Sequence, residues 1–321
     1  MSDRMSGATT ERSRPVRRRL LAIGALVGVA ATVGFGFRTM SATPAPVLAP
    51  TITWRPEAPS QGRLFVVSVQ DTAGATLAGV RGSVAGETLH FHEEAPGVFE
   101  SLAPASVEAP EQLGVSVTLV YADGREAERS VAVPVAPGAF EHERLTVAPR
   151  FGSPLDSADQ ARLARDQARA NRVSEAAHAT PRIWTLDLVI PRDDRVTSGF
   201  GNGREFNGQV TSRHTGLDLD GETGDTVYAV GRGVVELVDE FLLAGNIVYL
   251  NHGAGLVSGY FHLSEQLVTE GDTVTTGTPI GRVGATGRVT GPHLHWVVRY
   301  GHTSVDPRSL LEVASGSGEG S

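Results

Sequence analysis

The chain has 321 residues, room for two ordinary domains, and its 40% hydrophobic and 20% charged residues suit a packed globular core. The absence of cysteine excludes disulfides, thiolate nucleophiles and cysteine-ligated metals, and because all 28 basic residues are arginine, any chemistry borne by lysine is excluded as well. Residues 1–50 hold seven Arg against two acids, so a net charge of −8 hides an acidic body of −13 that lacks the basic stripe nucleic-acid binding requires.

In chain order, residues 1–41 come first. Arg17-Arg18-Arg19 precede Leu20 to Phe37, 18 residues without charge. A basic segment before an apolar one predicts either a signal peptide or an uncleaved membrane anchor. In both cases everything after residue 50 is exported. It is then either anchored facing outward, through residues 20–37 in the cytoplasmic membrane, or periplasmic or secreted after cleavage. Residues 42–50, rich in Pro and Ala, read as an extended linker.

Residues 51–150 carry short β-type runs, among them Arg63 to Val69, Val115 to Tyr121 and Val131 to Val133, with Asp123-Gly124 as a hairpin signal. Their spacing predicts a small β-sandwich of immunoglobulin-like type. Residues 151–182 predict a mostly polar connecting helix, with Ser157 as N-cap and Pro181 as the stop. Beyond Trp184, in a domain bounded at 183–313, β character returns and continues to about Leu311, and the Gly/Ser-rich tail, 314–321, reads as disordered.

Five residues in the last third stand out: His214 and Asp218 in His214-Thr215-Gly216-Leu217-Asp218, then His262, then His293 and His295 in His293-Leu294-His295. On a strand, residues two apart share a face about 6.6 Å apart. His293 and His295 therefore suit one site, with one of them binding a metal and the other contacting its water or substrate. His214 and Asp218 would lie about 13 Å apart on a straight strand, and Gly216 permits a bend that brings them together. Two His and one carboxylate form the ligand set of a catalytic zinc site with one position left for water. The second His-x-His, His90 and His92, reads as a solvated strand face, and His252 as a turn residue beside the site. His142, His178 and His302 read as surface residues.

Order and surroundings add to this. Ser198-Gly199-Phe200-Gly201, His214 to Asp218, Val230 to Val235, Tyr260 to Leu263, Gly271 to Val274, Gly284 to Gly287, Gly291 to His295 and Val305-Asp306-Pro307 together resemble the lysostaphin-type zinc metallopeptidases over residues 195–311. The resemblance implies a mainly β fold, two antiparallel sheets of barrel-sandwich hybrid type with the metal in a groove between loops. It implies one Zn2+ per chain held by His214, Asp218 and His295, with His262 and His293 as catalytic histidines. The implied activity is hydrolysis of a cross-link or stem peptide of bacterial peptidoglycan, in a glycine bridge or a D-amino-acid cross-link. A non-catalytic wall-binding or hydrolase-activating module on the same fold is the rival reading. The Gly-spaced turns of 268–284 also resemble biotinyl and lipoyl carriers, which the lack of lysine excludes. Nothing in the sequence bears on oligomeric state.

Overall fold

The computed structural model describes residues 49–71 and 77–316. The expected anchor or signal segment at 20–37 lies outside the described residues, as do most of the linker and residues 317–321. Among the described residues no helix is long and apolar enough to cross a membrane.

Eight strands come first: β1 (Thr51–Arg55), β2 (Leu64–Gln70), β3 (Leu77–Val84), β4 (Glu87–Leu89), β5 (His92–Ala95), β6 (Val98–Pro104), β7 (Gln112–Tyr121) and β8 (Glu126–Pro134). They form two antiparallel four-stranded sheets, in the orders β1-β2-β6-β5 and β4-β3-β7-β8. In β7, Leu113, Val115, Val117 and Leu119 are buried and alternate with more exposed residues, the two-residue period of a strand with one face on a core. Phe65, Val67 and Val69 of β2 join the same core. The Asp123-Gly124 signal holds: Gly124 adopts a φ of 84° in the turn joining β7 to β8.

The chain then enters the second half earlier than the sequence suggested. Strand β9 (His142–Leu145) pairs in parallel with β11 (Gly203–Phe206), and a 3-10 turn follows at Pro149–Phe151. Helix α1 (Ser157–Ala179) is capped by Asp156, whose side chain accepts from the Asp159 N–H, and not by Ser157. Nor is α1 a free connector. Its Ala170, Val173 and Ala177 pack on Tyr249, Phe261 and Val297, so it is a layer of the fold.

The remaining strands are β10 (Val196–Ser198), β12 (Val210–Arg213), β13 (Leu217–Asp220), β14 (Thr226–Tyr228), β15 (Gly233–Phe241), β16 (Gly245–Gly253), β17 (Leu256–Leu263), β18 (Glu265–Gln266), β19 (Thr273–Val274), β20 (Pro279–Arg282), β21 (His293–Tyr300) and β22 (Thr303–Val305). The large sheet runs β10-β13-β21-β17-β16-β15-β19 with β22 beside β21, flanked by β12-β11-β9 and β14-β20-β18. Strands β16 and β17 are buried almost end to end, which explains their continuous apolar runs: both faces are covered. Ile247, Tyr249 and Val257 meet α1, while Val248, Leu250, Tyr260 and Trp296 join the main core.

The β character expected to continue to about Leu311 gives way to a helix before it. Helix α2 (Pro307–Ser315) starts at the Asp306 cap and stops at Gly316, in the left-handed region at φ 66°. This helix docks on the first half: Ser309 Oγ accepts from the Leu64 N–H at 3.0 Å, and the Asp306 N–H donates to the Gly62 carbonyl at 2.6 Å. The two halves share one hydrophobic core, and the described residues fall in one compact unit. Their junction corrects two surface readings. His90 and His178 are half-buried, with Nε2 of the first 2.7 Å from Nδ1 of the second, and His178 reaches the buried Glu87 at 3.2 Å. His142 and His302 are exposed.

Candidate metal centre and groove

The β13–β21 register sets Asp218 directly across from His295. His214, just before β13, is held by its own N–H to the Asn202 carbonyl and by the Gly201 N–H to its carbonyl, both 2.8 Å. The turn between them depends on glycine for space and not for φ, since Gly216 has no positive φ. A Cβ there would stand 2.6 Å from the Trp296 carbonyl oxygen and 2.7 Å from His295 Nε2.

Three acceptor atoms converge as a result. Asp218 Oδ1 lies 2.6 Å from His295 Nδ1 and 3.0 Å from His214 Nε2, and the two ring nitrogens are 3.0 Å apart. All three residues are buried, and their ligand atoms lie within 4.8 Å of one another. His214 Nδ1 donates to the Gly199 carbonyl at 2.6 Å, which leaves the Nε2 lone pair facing the cluster. Burial drives His295 down to about 4, against the opposing pull of the Asp218 carboxylate, so its ring is neutral at neutral pH. Burial would raise Asp218, but the His214 and His295 rings within hydrogen-bonding distance outweigh it and hold the carboxyl well below its usual range. A carboxylate and two imidazoles crowded together, with no thiolate, fit one divalent cation of the zinc type.

Two more histidines face this cluster. His262 Nδ1 donates to the Thr286 carbonyl at 2.8 Å and His293 Nδ1 to the Gly291 carbonyl at 2.9 Å, so each directs Nε2 away from its anchor. Their ring centroids are 4.9 Å apart, that of His262 is 5.7 Å from that of His295, and His293 Nε2 lies 3.6 Å from Asp218 Oδ1. His262 sits in the left-handed region at φ 62°, a conformation costing a non-glycine residue about 1 kcal/mol or more. It falls just after Phe261, the last residue of β17 to pair with β21, at the register shift between Tyr260 and Leu263 in the β16–β17 ladder. Burial, with His293 and His295 adding to it, holds His262 well below its ordinary value, so it is neutral.

A second layer was not anticipated. Arg204 donates to Asp218 Oδ2 at 2.5 Å and to Ser198 Oγ at 2.7 Å, and its Nε donates to Glu143 at 3.1 Å. Glu143 also accepts from Ser198 Oγ at 2.6 Å and from Asn202 at 2.8 Å. Burial raises the Glu143 carboxyl, but these donors together lower it. Glu143 lies in β9, inside the stretch expected to be sandwich. No local pattern marks it, although Ser198 belongs to the quoted Ser198-Gly199-Phe200-Gly201 run. A groove of about 530 Å³ opens over the cluster, lined among others by Glu143, Arg204, Asp218, His262, Arg288 and His293.

His252 is not beside the site and not in a turn. It is buried in β16, with Nδ1 donating to the Arg232 carbonyl and Nε2 facing Ser258 Oγ, both at 2.7 Å. Burial pushes it down to about 4.

The site is thus a buried His/Asp/His cluster at a groove of a mainly β fold. Residues 212–307 match the description Peptidase family M23, the lysostaphin-type peptidases. The chain is 38% identical over 126 residues to peptidoglycan DD-endopeptidase ShyC of Vibrio cholerae serotype O1, covering 38% of this chain and 29% of that one. It is 43% identical over 105 residues to ShyA of the same organism, covering 32% and 24%. The chain thus spans less than a third of the length of these curated relatives. A crystal structure of a putative peptidase M23 from Pseudomonas aeruginosa superimposes with a TM-score of 0.60 over 79% of this chain and 95% of that one, at 24% identity. That likeness extends the shared fold beyond residues 212–307.

Proposed function

We propose that the protein is a zinc metalloendopeptidase that hydrolyses peptide cross-links of bacterial peptidoglycan outside the cytoplasmic membrane. The observation that carries this reading is the convergence of His214, Asp218 and His295 on one point, with His262 and His293 facing it across an open groove. Zinc would be held by His214 Nε2, His295 Nδ1 and the Asp218 carboxylate. Bound there, zinc supplies a Lewis acid and lowers the pKa of water towards neutrality. The names of the relatives, peptidoglycan DD-endopeptidases, support the substrate and favour a cross-link between D-centres.

The protein's own groups would manage the protons. His262 and His293 are each locked by Nδ1 to a backbone carbonyl, which fixes the tautomer and presents Nε2 as the working atom. Burial keeps His262 neutral, ready to accept a proton at Nε2 and pass it to the leaving amine. His293 would use the Nε2 lone pair to accept from the attacking water or the scissile amide N–H and so orient it. Arg204 would hold Asp218 by Oδ2 and leave Oδ1 for the metal. We read the two sheets of residues 51–134 as an immunoglobulin-like sandwich serving as spacer or wall-binding element. Residues 20–37 would be the anchor or signal that exports the body.

The test is zinc content and release of new amine ends from purified peptidoglycan, for the wild type beside His295→Ala, His262→Ala and His293→Ala. His295→Ala is expected to lose zinc and activity. The other two are expected to keep zinc and to lose about 10²–10⁴-fold in rate. Folded, zinc-loaded His262→Ala and His293→Ala variants that both cleave at the wild-type rate would refute the assignment.

A further inference from the structure

The loop from Gly284 to Pro292 joins β20 to β21 and anchors both histidines, through the carbonyls of Thr286 and Gly291. Between those two carbonyls stands Arg288. Its guanidinium carbon lies 3.9 Å over the Phe206 ring, and it lines the groove on the His293 side as well as a smaller cavity on the His214 side. Phe206 is buried with Val147 and Phe151, so the platform under the guanidinium is rigid.

The other cations of the groove are engaged. Arg204 pairs with Glu143 and Asp218, and Arg144 lies 3.7 Å from Glu205. No carboxylate among the described residues pairs with Arg288. Burial, together with repulsion from Arg204, lowers its guanidinium to about 10. The one other charged lining group without an ion-pair partner among the described residues, Glu141, is exposed, whereas Arg288 is half-buried. A half-buried, unpaired guanidinium on a fixed aromatic platform is costly unless an anion arrives, and its forked donors suit a carboxylate.

We propose that Arg288 is a carboxylate-binding subsite that receives a free carboxylate of the substrate close to the scissile amide and thereby selects D-centre cross-links over neutral glycyl bridges. The proposal rests on the peptidoglycan reading above. In a cross-link to a D-centre, the carbon bearing the scissile nitrogen also carries a carboxylate; in a chain of glycines no carboxylate lies near the bond.

The test compares two synthetic probes on the zinc-loaded full chain. One is a peptide dimer cross-linked through a D-alanyl amide to a D-centre with a free carboxylate. The other is the same dimer with that carboxylate as carboxamide. The wild type is expected to favour the carboxylate probe by about 10–100-fold in kcat/KM, the scale of a charge-assisted hydrogen bond. In Arg288→Gln the preference should shrink to within about threefold, with zinc content unchanged. Arg288→Lys should keep part of it, as a cation without the fork. A preference that survives in Arg288→Gln, or equal losses on both probes, overturns the proposal. If the wild type cleaves neither probe, the peptidase reading fails, and calorimetric binding of the same probes decides on Arg288 separately. Tighter binding of the carboxylate probe that Arg288→Gln abolishes supports the subsite; equal binding of both probes overturns it.

Discussion

Glu143→Ala probes how far the first half of the chain governs the metal centre. The Glu143 carboxylate accepts from Ser198, Asn202 and Arg204 at 2.6, 2.8 and 3.1 Å, and Arg204 in turn holds Asp218 Oδ2 at 2.5 Å. Removing the carboxylate frees Arg204 to pull harder on Asp218 and leaves its positive charge uncompensated beside a cation site. Groups that orient metal ligands from behind typically contribute 10–100-fold in affinity, or about 1.4–2.7 kcal/mol. The Glu143 side chain is 18% exposed, and groove water replaces part of what is lost, so the lower half of that range is expected. The assay is competition for zinc between the protein and a chromophoric chelator at neutral pH. Glu205→Ala serves as the control, because Glu205 pairs only loosely with the exposed Arg144, at 3.7 Å. Expected is weaker zinc binding in Glu143→Ala by about 10–30-fold and none in the control. A zinc affinity in Glu143→Ala within twofold of wild type would refute the coupling.

Three further outcomes are expected. Gly216→Ala should cost about 1–3 kcal/mol and most of the bound zinc, because the new methyl meets His295 Nε2 and the Trp296 carbonyl; full zinc content in a folded variant would contradict this. His252 carries a pH dependence whose sign is set by its depressed pKa of about 4. The folded state prefers the neutral ring, so its contribution is complete above pH 6.5 and is lost as pH falls from 6.5 to 4, by at most about 3 kcal/mol. Chemical denaturation at pH 7 and pH 4.5 should therefore show a steeper loss for the wild type than for His252→Gln, and parallel losses would count against it. Tyr300→Phe removes the hydroxyl that donates to the Thr88 carbonyl at 3.0 Å and accepts from the His90 N–H at 3.2 Å. It should lower the melting temperature through about 1–2 kcal/mol while zinc binding stays intact, whereas loss of zinc would show that the junction and the site are coupled.

The five residues that gather at the candidate site were legible in the sequence because the features that mark them are local. His293 and His295 share a strand face two residues apart, His214 and Asp218 are separated by a glycine, and their order matches a known family. The hairpin at Asp123-Gly124 was legible for the same reason, since turn chemistry is written in adjacent residues. Local patterns also misled. Ser157 looked like a cap, but the side chain one residue earlier satisfies the N–H, and the polar helix behind it buries a narrow stripe of Ala170, Val173 and Ala177 that its overall composition conceals. The strand pattern read through to Leu311 gave way to α2, begun by Asp306 and ended by Gly316.

The sequence by itself determined the candidate ligand types, the strand faces and the exclusion of cysteine and lysine chemistry. Only the tertiary structure decided that Glu143 stands behind Arg204, that Arg288 is left without a carboxylate, that His90 and His178 meet at the junction, and that Gly216 is there to make room for His295. Those relations join residues between 61 and 88 positions apart through packing of separate elements. Such pairings follow no period in the chain, because they are set by which surfaces bury together and not by what any segment prefers alone.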